Sequence, residues 1–219
     1  MTDLKSVSLP HYSEREEKIN SASHAVGIGF GLTAAFSLCL KAQNALGVIS
    51  GIIFGVSIII LYAASTVYHI LSPSPAKRIM RTVDHAVIYV LIAGTSIPLI
   101  IMGVLPFSHT FGTVMTVLSL VIEAVGIFIT FFDLERFRVL SMVLYMTLGW
   151  MCITLIYPLY KYSRTPLATI LLILIGGVVY TVGTTFLALG KKKKYYHSIF
   201  HFFVLLGTML HFFGLYTLY

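Results

Sequence analysis

The sequence predicts an all-α membrane protein: a seven-transmembrane-helix bundle with a cytoplasmic N-terminus and an outside C-terminus. Three observations carry this. The 219-residue chain is 58% hydrophobic and only 11% charged, with a mean hydropathy of +0.92, whereas a soluble domain carries about a quarter charged residues. Apolar stretches recur at 24–40, 46–70, 84–105, 111–132, 139–159, 167–189 and 198–218, each near or above the roughly 20 residues a helix needs to cross the hydrocarbon core. None shows the short alternating segments of a membrane β-barrel.

Residues 1–22 read as a short cytoplasmic N-terminal segment and 23–219 as the seven-helix domain. Glu14, Glu16 and Glu17 interrupt the polar N-terminal residues, so no cleavable signal peptide is expected. Glycine and alanine scattered through the first three stretches favour close helix packing. In the third stretch Pro98 predicts a kink, and Gly94, one turn earlier, the close approach of a neighbour. The fourth carries Glu123 near the bilayer centre, where a carboxyl is expected to be uncharged or paired inside the bundle. Cys39 and Cys152 fall in the first and fifth stretches as small apolar residues, with no disulfide framework. The sixth stretch is uniformly apolar, and the seventh opens with His197 and His201. Internal repeats, low-complexity linkers and a second domain are not expected.

Charge sets the orientation. Lys5, Arg15 and Lys18, then Lys77, Arg78 and Arg81, then Arg136 and Arg138, then Lys191 to Lys194 put twelve of the 15 basic residues on one side. Lys41, Lys161 and Arg164 remain on the other. Basic residues are retained in the cytoplasm, so the chain starts inside and, after seven crossings, ends outside the cell membrane. The net charge of +7 then points to anionic lipid headgroups at the cytoplasmic face, and not to nucleic acid.

That topology, taken from lysine and arginine alone, sorts the polar residues of the helices by depth. His69 closes the second helix, Asp84 opens the third, His197 and His201 open the seventh, and His24 opens the first. All five fall at the cytoplasmic level of the bilayer. Metal-binding and ionisable groups at membrane depth are costly, which marks such a grouping as a site. His197-x-x-x-His201 sets two imidazoles on one helix face, about 6 Å apart along the axis, and His69 supplies a third nitrogen. Three histidines leave one tetrahedral position of a zinc ion (Zn2+) for water, the pattern of a catalytic site. Asp84 is then the candidate general base, and Ser65, one turn from His69 on the same face, a hydrogen-bond donor to water or substrate. The bland reading is interfacial histidines at chance helical spacing.

Glu17, Asn20 and His24 read either as groups that orient a metal ligand or as a cap and acidic first turn of the first helix. His85 points about 100° away from Asp84 and is a poor co-ligand. His211 lies about 15 Å deeper than His201 along the helix, either a hydrogen-bonded interior histidine or a proton relay. His11 and His109 are expected to face solvent, and most Phe and Tyr residues to face lipid or the interface.

Three motifs, Glu17-x-x-Asn20-x-x-x-His24, Ser65-x-x-x-His69 and His197-x-x-x-His201, with Asp84-His85 and the tail around Phe200, Val204, Gly207 and His211, make the chain resemble the hemolysin III branch of the progestin and adipoQ receptor family. That family is related to alkaline-ceramidase-like membrane hydrolases, and the resemblance covers nearly the whole chain. It implies zinc on His69, His197 and His201, with Asp84 and Ser65 beside the bound water. The long N-terminal region of the animal receptors has no counterpart here, which speaks against hormone reception. The expected function is a zinc-dependent hydrolase of membrane lipid amides or esters. The alternatives are a sensor or regulator of membrane composition with structural zinc and, as the family's name suggests, a cytolytic pore-former. A transporter is a fourth class, although no paired broken helices announce its substrate site.

Overall fold

The computed structural model describes residues 7–162, 166–190 and 193–219, and every element in them is a helix. In order these are α1 (Glu14–Lys41), α2 (Ala45–Ile70), α3 (Pro75–Gly103), α4 (His109–Phe132), α5 (Arg138–Trp150), α6 (Ile153–Tyr162), α7 (Leu167–Leu189) and α8 (Tyr196–Leu218). Seven spans are long and apolar enough to cross a membrane, α5 and α6 together making one of them, Arg138–Lys161. The chain is therefore a multi-pass membrane protein. Lys5, Arg164, Lys191 and Lys192, four of the charges behind the expected orientation, lie outside the described residues.

Two helices start well before their apolar stretches, for reasons of capping. At α1, Ser13 accepts from the Glu16 backbone N–H while the Glu16 carboxylate accepts from the Ser13 N–H, a reciprocal capping box followed by acids in the first turn. Glu17, Asn20 and His24 consequently lie inside the helix, and the cap expected at Asn20 is Ser13 instead. At α3, Ser74 caps Lys77 at 3.2 Å and Pro75 occupies the first position. Asp84 thus sits in the third turn of α3, not at its start.

The fifth span departs from the expected continuous helix. It breaks between Trp150 and Ile153, where Met151 N–H is shared between the Thr147 and Leu148 carbonyls, and Leu155 N–H bonds Cys152 three residues back. Pro158, inside α6, has no N–H to donate and crowds the carbonyl four residues before it. In contrast, α3 runs on through Pro98.

Neighbouring helices pack in sequence, α1 on α2 on α3 and α7 on α8, and α8 closes back against α1 and α3. Helix α4 lies against α3, and α5 bridges from there toward α7. Phe54, Ile58, Tyr62, Leu99, Ile100 and Leu215 fill the core, while Phe36, Leu40, Val56 and Phe128 stay on the outside, facing lipid. Tyr62, Tyr89 and Phe54 show that several large aromatics pack inside and do not face the membrane. The absence of a side chain at Gly94 is what admits Ser57, because a Cβ there would overlap the Ser57 hydroxyl. Cys39 and Cys152 are free thiols, each half-buried.

A Gly94→Val substitution should force α2 from α3 and lower stability by about 1–3 kcal/mol, read as a fall in the thermal midpoint in detergent with the core substitution Ile58→Val as a milder control. Reporter fusions test the orientation: activity of an N-terminal fusion inside the cytoplasm and of one after Tyr219 outside is the expected pair, and both termini on one side would contradict seven crossings.

Candidate metal centre

His69 lies one residue from the end of α2, while His197 and His201 lie one turn apart at the start of α8. Their packing brings the three side chains together: His197 Nε2 is 3.3 Å from His69 Nε2 and 3.0 Å from His201 Nε2. One nitrogen from each of the three lies within 4.8 Å of the others, a group that could hold a metal ion. Two nitrogens bound to one tetrahedral zinc at about 2.0–2.1 Å stand about 3.3 Å apart, close to the spacing of the two pairs that meet at His197.

The outer nitrogens decide whether the inner ones are free to ligate. Glu17 Oε2 stands 2.6 Å from His69 Nδ1. A carboxylate accepts, so Nδ1 carries the proton and Nε2 keeps its lone pair. Asn20 Nδ2, at 3.5 Å from the same Nδ1, would need the opposite tautomer, but the shorter charge-assisted bond prevails. His201 Nδ1 is 3.3 Å from the Asn20 carbonyl, which likewise assigns the proton to Nδ1 and the lone pair to Nε2. Two lone pairs therefore converge on the space beside His197, and the donor set suits a metal that takes imidazole nitrogen.

The supporting residues tie α1 to the other helices. Glu17 Oε1 accepts from Lys77 Nζ at 2.7 Å, and Lys77 also reaches the Leu71 carbonyl at 2.7 Å, closing α1 to the α2–α3 turn. Asn20 Oδ1 accepts from Ser198 Oγ at 2.6 Å, closing α1 to α8. The start of α8 is set by Tyr195, a non-glycine residue at φ 63°, a left-handed conformation costing about 1–2 kcal/mol. Its N–H donates to Glu16 Oε1 at 2.7 Å, so the carboxylate that caps α1 also holds the strained entry to α8.

Tyr12 covers the group from outside the helices, its ring stacked on His197 at 4.8 Å and 20°. Burial pushes its phenol well above the usual tyrosine range, so it packs as a neutral ring. Val7 and Ser8 hold this N-terminal strap through Arg78 and Glu135, and Glu135 in turn pairs with Arg81.

Asp84 and Ser65 stand together on the inner side. Both line an apolar-walled cavity with His24, His197 and His201. His69 borders a separate outer pocket with Tyr12, Glu17, Lys77 and Arg78. His24 stacks on His201 at 3.7 Å and 15° and meets the Tyr62 ring edge-on. Both its ring nitrogens are buried without a hydrogen-bond partner.

Glu17, Asn20, His24, Ser65, His69, Asp84, His197 and His201 therefore meet at one end of the bundle. His85 is outside the metal-holding group but borders the same cavity. His211 lies deeper, its Nε2 3.1 Å from the Ile173 carbonyl. Glu123 is buried and accepts from Ser119 Oγ at 2.7 Å, inside the bundle as expected. His11 and His109 are exposed. Sequence reasoning missed Glu16, Lys77, Ser198 and Tyr12. The Ser13-x-x-Glu16 spacing is a readable capping signal, but Lys77 counted only as a topological charge, and Tyr12 in a polar segment carried no signal.

Metal analysis of purified protein should find about one ion per chain, with most of it lost in His197→Ala or His201→Ala and all of it kept in His109→Ala. Glu17→Gln should weaken retention about 10–100-fold, the usual cost of losing the partner that orients a ligand, measured by competition with a chelator. Full metal content in both α8 variants would remove the centre.

A family model described as Haemolysin-III related matches residues 12–212. The chain is 36% identical to the Hemolysin-3 homolog of Bacillus subtilis (strain 168) over 205 residues, 92% of this chain and 93% of that protein. It is 32% identical to Hemolysin-3 of Bacillus cereus over 203 residues, 91% of this chain and 90% of the relative. No solved structure matches it. The matched helices include every residue of the histidine group and its partners, and the chain belongs to the haemolysin-III-related family.

Proposed function

We propose that the protein is a zinc-dependent hydrolase of membrane lipid amides or esters. The observation that carries this reading is a cavity lined by Asp84 and Ser65 together with His197 and His201, in a histidine group where the outer nitrogens of His69 and His201 are already committed. When bound, zinc would supply a Lewis acid and lower the pKa of its water to about 7. Asp84 accepts the proton from the attacking water and returns it to the leaving amine or alcohol. Ser65 lines the same cavity and offers its hydroxyl as a donor there. Glu17 and Asn20 keep His69 and His201 in the tautomers that present Nε2. The cavity walls, formed largely by apolar residues of α3, α5, α7 and α8, take the lipid chain, and the position of the group at the bundle end leaves the headgroup near water.

A second reading is favoured by the same partners. A metal on His69, His197 and His201 would clasp α2 to α8 while Glu17 and Asn20 add α1, which suits a structural ion in a sensor of membrane composition. The name of the Bacillus cereus relative brings a third, lysis of a target membrane, which dye release from vesicles measures directly.

The hydrolase and sensor readings separate at Asp84. For the hydrolase, zinc-loaded protein releases fatty acid from a lipid amide or ester panel, and Asp84→Asn lowers the rate about 10²–10⁴-fold while metal content and melting temperature hold. For the sensor, Asp84→Asn changes little and loss of His69 destabilises the bundle. Wild-type hydrolysis by a zinc-replete Asp84→Asn protein would end the hydrolase reading.

A further inference from the structure

The inner cavity that begins at Asp84 and His201 also reaches His211, ten residues further along α8 and hence about 15 Å deeper. His211 is 9% exposed. Its place is made by Gly176 of α7, where a Cβ would stand 2.6 Å from His211 Nε2, and by the Tyr180 ring packed edge-on at 5.2 Å. The Ile173 carbonyl, 3.1 Å from Nε2, only accepts, so the proton resides on Nε2. Nδ1 is left as a lone pair, buried and without a partner. A buried acceptor left unsatisfied costs about 1–3 kcal/mol, and the surrounding donors are committed elsewhere: Trp150 Nε1 donates to Thr181 Oγ1 at 3.0 Å, and Thr208 Oγ1 lies within 2.9 Å of Tyr62 and Tyr180 hydroxyls and of its own Val204 carbonyl.

From this geometry we infer that His211 is a subsite for a hydroxyl group borne mid-chain by the lipid in the cavity, donating to Nδ1 about 15 Å from the histidine group. The inference deepens the hydrolase reading by naming a feature of its substrate, but the binding it describes needs no turnover. It assigns the chain a preference: an apolar tail fits the walls with or without the hydroxyl, and the hydroxyl adds one hydrogen bond that water competes for poorly at that depth.

Trp150, the single tryptophan of the chain, lines the same cavity and supplies the signal. Detergent-solubilised full-length protein is titrated with stearate and with a mid-chain hydroxystearate while Trp150 fluorescence is followed. The expected result is about tenfold tighter binding of the hydroxystearate, the value of one good hydrogen bond. His211→Leu should abolish the preference and keep stearate binding, and His211→Gln, which retains an acceptor, should restore part of it. His197→Ala, which disables the metal centre, should leave the preference intact, so failure of hydrolysis and failure of this subsite are told apart. Equal affinity of the native protein for the two acids, or a preference that survives in His211→Leu or disappears in His197→Ala, would overturn the inference.

Discussion

Burial of polar atoms in an apolar bundle is the constraint on which this structure depends, and Glu17 is where it is met. Each unsatisfied polar group away from water costs free energy on the scale of a lost hydrogen bond or more. The Glu17 carboxylate answers two such needs at once, accepting from His69 Nδ1 and from Lys77 Nζ, which is itself 3% exposed. Removing it would leave the imidazole N–H buried without its carboxylate and the Lys77 charge with only the Leu71 carbonyl as acceptor. The same contact sets the His69 tautomer, ties α1 to α2 and α3, and turns Nε2 toward α8. A single carboxylate therefore links helix packing to the chemistry of the centre.

The other half of the centre is positioned in the same manner, through α1. Glu16 caps its own helix and holds the Tyr195 N–H, while Asn20 holds Ser198 and His201. The amphiphilic start of α1 thus acts as a polar scaffold between α2 and α8, and its apolar remainder crosses the membrane. The histidine group stands between two spaces, an outer pocket bordered by His69 and an inner cavity bordered by His197 and His201. Such an arrangement suits the proposed lipid hydrolysis, in which water and substrate chain come from different environments.

Helix breaks and close contacts explain why the inner cavity persists. The interruption at Met151 and Cys152 leaves α5 short, so α5 and α7 touch over a limited length. Trp150 bridges them through Thr181. Deeper, Gly176 lets α7 approach around His211. The cavity is thereby closed by a few specific contacts and not by continuous ridge-and-groove packing, which would have filled it.

The sequence by itself determined the seven apolar spans, because the hydrocarbon thickness fixes how long an apolar helix must be. It also determined that His24, His69, Asp84, His197 and His201 share one end of the bundle, because alternating crossings sort residues by depth whatever the packing. The i, i+4 spacing of His197 and His201 fixed their common face. Where the helices begin was less legible: hydropathy reports the lipid-buried part of α1 and α3, whereas Ser13 and Ser74 start them in the polar flanks. Which side chains touch at a given depth was decided only by tertiary structure. Lys77 buried against Glu17, Tyr12 stacked on His197, Ser198 on Asn20 and the unpaired Nδ1 of His211 each depend on helix rotation and on contacts between residues far apart in the chain. Hydropathy and spacing describe one helix at a time, and rotation about a helix axis is set by its neighbours.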